Sequence, residues 1–226
     1  MRQGVAILQR KRLWDSQYVW QPSSPRKLEY VFDAFPFFKD LLEGKGLTTS
    51  IGIAYGKSHT PFSILLGQAE ELLRSAKKEG AKDPRAGGLY VPSYIDYHFT
   101  FAFNQVGVNE CRGSQLKISA AKPLLLYQKP YSLEDAKALL EYSRDIGESG
   151  VPKTRLNEFG QAMLLGKVNS TIGFLKLYGR MAIEHRRIFH DALDRFCCMG
   201  ADLPWRDRGS SYTSALLDLI ELTTFT

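Results

Sequence analysis

The chain has 226 residues, 44% apolar and 24% charged, with a formal net charge of +6. That apolar share supports a packed core and excludes global disorder, while no apolar run approaches the ~20 residues of a membrane-spanning helix. The length admits one large domain or two small ones.

In chain order, apolar runs at 5–8 and 18–20 flank the basic Gln9-Arg10-Lys11-Arg12 and read as strand–turn–strand. Residues 1–30 hold Arg2, Arg10, Lys11, Arg12, Arg26 and Lys27 against Asp15 and Glu29 alone. Such a basic end points to a nearby polyanion, nucleic acid or nucleotide, or to a solvated arm. Pro22-Ser-Ser-Pro25 is a loop. The apolar spacing of 28–42 suits a helix, which Pro36 kinks or splits and Gly44 and Gly46 close.

Residues 47–55 alternate as a strand, with Leu47, Thr49, Ile51, Ile53 and Tyr55 on one face. The other face, Thr48, Ser50, Gly52 and Ala54, is small enough for close approach by a packed helix or a flat ligand. A helix follows, with Thr60 as its cap and Pro61 at its first position. Its apolar stripe is Phe62, Leu65, Leu66, Ala69, Leu72, Leu73 and Ala76, with Lys77 and Lys78 in the last turn and Gly80 as the stop.

Residues 82–88 form a loop, and 89–103, rich in aromatic and β-branched residues, form one long strand or a hairpin. A further extended run lies within 119–128. Ser132 then caps a helix with Asp135 three residues on, a variant of the capping box, and Gly147 ends that helix. After a break at Gly150-Val-Pro152, one helix runs to about Gly166. A long helical stretch over 168–196 places Ile172, Leu175, Tyr178, Ala182, Phe189, Leu193 and Phe196 inside. Residues 203–211 are loop and 213–222 a final amphipathic helix. The fold class is α/β (α+β), with an all-helical tail from about residue 130.

Few residues carry recognisable chemistry. Asp96 and His98, two apart in Tyr94-Ile-Asp-Tyr-His98, share a strand face. Two ligands are too few for a metal site, so we read them as a hydrogen-bonded pair at a domain junction. His190-Asp191 resembles a fragment of a metal-dependent HD nuclease site, but His185 and His190 lie about 140° apart around a helix. Cys111, Cys197 and Cys198 include one adjacent pair and no C-x-x-C spacing, so neither a disulfide framework nor a zinc site is expected. Reduced thiols and the absence of a signal-peptide pattern, 4–8 being too short, give a cytoplasmic expectation.

The succession Ser50-Ile-Gly-Ile-Ala-Tyr-Gly56 plus a helix ending Ala76-Lys-Lys-Glu-Gly80 resembles the second half of a nucleotidyl-cyclase palm domain of the GGDEF type. Ile95-Asp-Tyr-His98, Lys129-Pro-Tyr-Ser-Leu-Glu-Asp135, Val151-Pro-Lys-Thr-Arg-Leu-Asn-Glu-Phe-Gly160, Leu203-Pro-Trp205 and Tyr212-Thr-Ser-Ala-Leu-Leu217 follow in order. Together, over about 28–226, they resemble the C-terminal region of the large polymerase-like subunit of type III CRISPR effector complexes. The resemblance implies a partial, ferredoxin-like palm over 1–128 and a C-terminal helical domain over 129–226. It implies guide RNA, target RNA and the other effector subunits as partners, and a family activity of ATP- and magnesium-dependent cyclic oligoadenylate synthesis; that no membrane is a partner is expected from the short apolar runs. The family's Gly-Gly-Asp-Asp hairpin is missing: the one Gly-Gly pair, Gly87-Gly88, precedes Leu89. No catalytic or metal-binding residue is therefore assigned, since phosphoryl transfer needs metal-holding carboxylates. What remains implied is half of a nucleotide site, Ser50 and Gly52 on the small face and Lys77 toward a phosphate. The readings are a scaffold piece of the large subunit, the partner half of a cyclase acting with a separate catalytic palm, and an α/β adaptor with a helical tail.

Overall fold

The computed structural model describes residues 2–10, 16–22, 48–57, 59–87, 91–100, 107–197 and 203–223, the first two segments as backbone. The fold is α+β: a five-stranded mixed sheet, a smaller four-stranded sheet and a helical C-terminal region. Two compact units interleave in sequence, one from Met1–Cys111 with Lys129–Lys137, the other from Arg112–Gln128 with Ala138–Thr226. The boundary expected at 128/129 is thus one of three crossings, the others falling at 111/112 and 137/138.

In the first unit β1 (Arg2–Arg10) and β2 (Ser16–Pro22) form an antiparallel hairpin, as the runs at 5–8 and 18–20 suggest. β3 (Thr49–Lys57) lies antiparallel on the other side of β1. Helix α1 (Phe62–Lys82) then crosses to β4 (Tyr94–Thr100), which runs parallel to β3. Only this one strand forms among the described residues of 89–103. Later in the chain β7 (Tyr131–Ser132) pairs with the start of β4, giving the order β2-β1-β3-β4-β7.

The alternation of β3 has the expected consequence. Ile51, Ile53 and Tyr55 stand in register with Ile95, Tyr97 and Phe99, and the Tyr55 and Phe99 rings stack 5.3 Å apart. The opposite face is covered by α1, whose Leu65, Ala69, Leu72 and Leu73 cluster with Ala54. The ends of α1 differ from expectation. Pro61 is itself the N-cap, its extended ψ of 134° starting the helix at Phe62. Its carbonyl accepts from the N–H groups of Ile64 and Leu65, so Thr60 sits one residue too early to cap. Gly80 does not stop the helix, which continues to Lys82. It is buried, and a Cβ there would lie 2.9 Å from the Pro92 carbonyl oxygen, so the residue is small for close approach.

The second unit contains the end of α2 (Val108–Gln115), β5 (Lys117–Ile118), β6 (Leu124–Leu125) and most of α3 (Leu133–Glu148). It continues through α4 (Lys153–Met163), α5 (Lys167–Gly179), α6 (Ile183–Cys197), β8 (Arg206–Asp207), β9 (Tyr212–Thr213) and α7 (Leu216–Thr223). The tail is therefore helical with an added small sheet, order β5-β6-β9-β8. Part of the expected loop at 203–211 belongs to it, and the last helix starts at Leu216 because Thr213 is in β9. The core of this unit is aromatic: Phe159 lies 5.2 Å from Phe174 and 5.4 Å from Phe189 between ring centroids. Buried Trp205 donates its indole N–H to Ser170 Oγ at 2.8 Å.

The long helix expected over 168–196 is two helices, broken between Gly179 and Ile183. Its phase also differs. Phe189, Leu193 and Phe196 are buried as read, but Ile172 and Leu175 are 47% and 50% exposed, Ala182 is exposed, and Phe174 is inside instead. α5 is apolar on nearly every side, so its periodicity sets no phase, and packing of Phe174 against Phe159 decides it.

Candidate functional site

The small face of β3 carries Ser50 and Gly52. Gly52 is buried, and a Cβ built there would lie 2.3 Å from the Ala69 carbonyl oxygen and 2.4 Å from the Leu73 nitrogen. The backbone of α1 thus occupies the space in front of Gly52 and leaves no room there for a flat ligand. Ser50 is half-buried on the same face, its backbone in register with Gln9 and Tyr94. Lys77 is exposed on the flank of the buried stripe of α1, four residues beyond Leu73, and partial burial draws its amine below the ordinary lysine range. Ser50 and Gly52 are thus brought to the helix-facing side of the sheet, while Lys77 belongs to the solvent side of that helix.

Asp96 and His98 do share a face, the same one. Register pairs Asp96 with Gly52 and His98 with Ala54. Both are buried, Asp96 completely. Two residues on, Thr100 donates its hydroxyl to Gln68 Oε1 of α1 at 2.7 Å, so this edge of the helix–sheet layer is polar. Among the described residues no group of three or more His, Cys, Asp or Glu could hold a metal ion.

A polar clamp at the end of α1 had no signature beyond Asp83-Pro-Arg85. The Asp83 carboxylate accepts from the Arg85 backbone N–H at 2.8 Å, from its Nε at 3.0 Å and Nη2 at 2.8 Å, and from the Tyr94 hydroxyl at 2.9 Å. The Arg85 hydrogen bonds hold Asp83 well below the usual carboxylate range. Burial, then the Asp83 hydrogen bond, pushes the Tyr94 phenol up to about 12. These contacts fix the C-terminal end of α1 to the first residue of β4. Glu71 plays a comparable part at α2, accepting the Val108 N–H at 2.8 Å.

In the second unit the small sheet gathers cations that are far apart in sequence. Lys122 Nζ lies 4.2 Å and Lys167 Nζ 3.8 Å from the centroid of the Tyr212 ring. Lys122 also pairs with Asp207, which accepts the Gly209 N–H at 2.6 Å. The Lys122 bond, the Gly209 bond and then the Lys167 field pull Asp207 below its ordinary range. Arg206 and Arg208 flank Asp207 in the chain, and Arg208 is exposed. Asp207 thus stands beside two lysines, a small basic cluster suited to phosphate groups. Sequence reasoning missed it because Lys122, Lys167 and Tyr212 meet only through β6, β9 and the start of α5.

The remaining assignments resolve simply. His185 Nε2 lies 3.0 Å from the Ser149 carbonyl oxygen, and His190 Nδ1 lies 3.5 Å from its neighbour Asp191. The hairpin turn at 11–15, Asp15, the helix expected over 28–42 and Cys198 lie outside the described residues. No helix among the described residues is long and apolar enough to cross a membrane. Comparison of the chain with protein-family models and with curated proteins found no match.

Proposed function

We propose that this chain is a non-catalytic C-terminal piece, or reduced relative, of the large polymerase-like subunit of type III CRISPR effector complexes, a scaffold that lies against guide and target RNA in antiviral defence. One observation carries the reading. An antiparallel hairpin, β1–β2, precedes the parallel β3–α1–β4 unit and lies beside it in the sheet, and a palm of the family resembled carries its Gly-Gly-Asp hairpin N-terminal to such a unit. The residues between those strands read Lys11-Arg12-Leu13-Trp14-Asp15, with a single carboxylate where a palm needs its Gly-Gly-Asp-Asp. A scaffold is placed ahead of a shared ATP site because Gly52 is covered by α1. The basic cluster at Lys122 and Lys167 supports an RNA-facing role.

The test is incubation of the purified chain with ATP, magnesium and manganese, alone and with candidate effector subunits, followed by mass spectrometry. The scaffold reading expects no cyclic oligoadenylate in any mixture and stable assembly onto guide RNA with the small subunits. Product from the chain alone would overturn it, and product only with a separate catalytic palm would establish the shared-site reading instead. RNA affinity falls steeply with salt for an RNA-facing scaffold, and Lys122→Ala and Lys167→Ala each lower that log–log slope by about 1. A plain adaptor has no such slope.

A further inference from the structure

The exposed side of α5 and the turn before it form an aliphatic ridge. Leu164 (50% exposed), Leu165 (61%) and Val168 (69%) lead into Ile172 and Leu175. Val168, Ile172 and Leu175 stand at i, i+4 and i+7, one stripe of a helix, opposite buried Ser170 and Phe174. Exposed aliphatics spaced this way form the ridge that a second helix packs against. The charges within the ridge segment itself have one sign. Segment 164–180 contains Lys167, Lys176 and Arg180 and no acidic residue, and Lys176 and Arg180 are exposed at the end of the ridge.

We infer that this ridge is a docking surface for an acidic amphipathic helix of a partner protein. Charge complementarity selects the occupant. In a symmetric contact with a second copy, segment 164–180 offers no carboxylate for Lys176 and Arg180 to meet. An anionic membrane surface is the competing occupant, and the vesicle measurement distinguishes it. The inference is independent of the family reading above, since it uses only the surface of the second unit.

The probes are two synthetic helical peptides, each with leucines at i, i+4 and i+7, one flanked by glutamates and the other by lysines. Binding to the full chain is followed by fluorescence anisotropy. The glutamate peptide binds and the lysine peptide does not. Ile172→Asp weakens binding by about tenfold or more, the scale of losing one well-packed interface anchor. The double change Lys176→Glu, Arg180→Glu reverses the preference between peptides. All three positions are exposed, so circular dichroism of each variant should match the parent. Failure of the folded parent to bind the glutamate peptide, or equal binding of both peptides, overturns the inference. So does self-association in sedimentation, or binding to phosphatidylcholine–phosphatidylserine vesicles, if Ile172→Asp abolishes it.

Discussion

Single residues in the first unit set how closely its layers approach. Gly52 has the backbone of two successive turns of α1 within 2.4 Å of where a Cβ would stand. Neither neighbour is a flexible side-chain end, so relief requires moving the helix. Gly52→Ala should therefore lower stability by about 1–3 kcal/mol or more. A urea melt would read this as a lower midpoint at unchanged slope, and an unchanged midpoint would mean that α1 does not lie this close. The Asp83 clamp makes a second prediction at this scale. The folded-state pKa of Asp83 is depressed, so its contribution is present above the unfolded value near 3.8 and is lost as pH falls below it. Tyr94 is raised from 10.0 to about 12, so its contribution is present below pH 10 and lost as pH rises toward 12. Asp83→Asn should be less stable than the parent at neutral pH, the two melting curves should converge in acid, and the gap should narrow but persist in alkali, where Tyr94 ionises and the Arg85 bonds remain. Parallel curves across the whole range would exclude the clamp.

At the scale of elements, helix starts divide by what precedes them. α1 and α4 both begin after a proline with ψ 134° that acts as N-cap without any side-chain cap bond. α3 is capped by chemistry written locally. Ser132 Oγ accepts the Asp135 N–H at 3.1 Å and its hydroxyl donates to the Asp135 carboxylate at 2.9 Å. Removing the hydroxyl in Ser132→Ala should cost about 1 kcal/mol, within the range of ordinary N-caps, measured as a shift in the thermal midpoint. Ser132→Asp should recover most of the loss, because its carboxylate can accept the same N–H. The Ser132 cap was legible because both partners lie within three residues. The Thr60 cap was misread because proline geometry moved the start by one residue.

For the whole molecule, interleaving constrains where the chain can be divided. A cut at 128/129 separates β6 from the rest of the second unit. β6 pairs with both β5 and β9, and the Leu126 N–H bonds to the Leu116 carbonyl. The Gln128 N–H also donates to buried Asp218 at 2.8 Å. A fragment of residues 129–226 would leave Asp218 without that donor and β9 paired only with β8, a cost comparable to the whole margin of a small domain. We expect it to lose near-ultraviolet dichroism from Trp205 and to unfold without cooperativity, whereas residues 112–226 keep both. Equal cooperativity in the two fragments would show that 112–128 is dispensable.

What the sequence determined by itself was carried by neighbours in the chain, though not at both ends of α1. The small face of β3 was visible as Ser50, Gly52 and Ala54, the helix after it as a repeating stripe, and the Ser132 cap as a spacing of three. The absent Gly-Gly-Asp hairpin was visible in the same way, as a missing run of residues. Tertiary structure decided what those local signals left open. It put helix backbone rather than open space in front of Gly52, chose Phe174 over Ile172 and Leu175 as the inward residue of a helix with apolar residues on several sides, and collected Lys122, Lys167 and Tyr212 at one small sheet. Those outcomes depend on which surfaces meet across long stretches of chain, and periodicity sets no phase where every side of a helix can be buried.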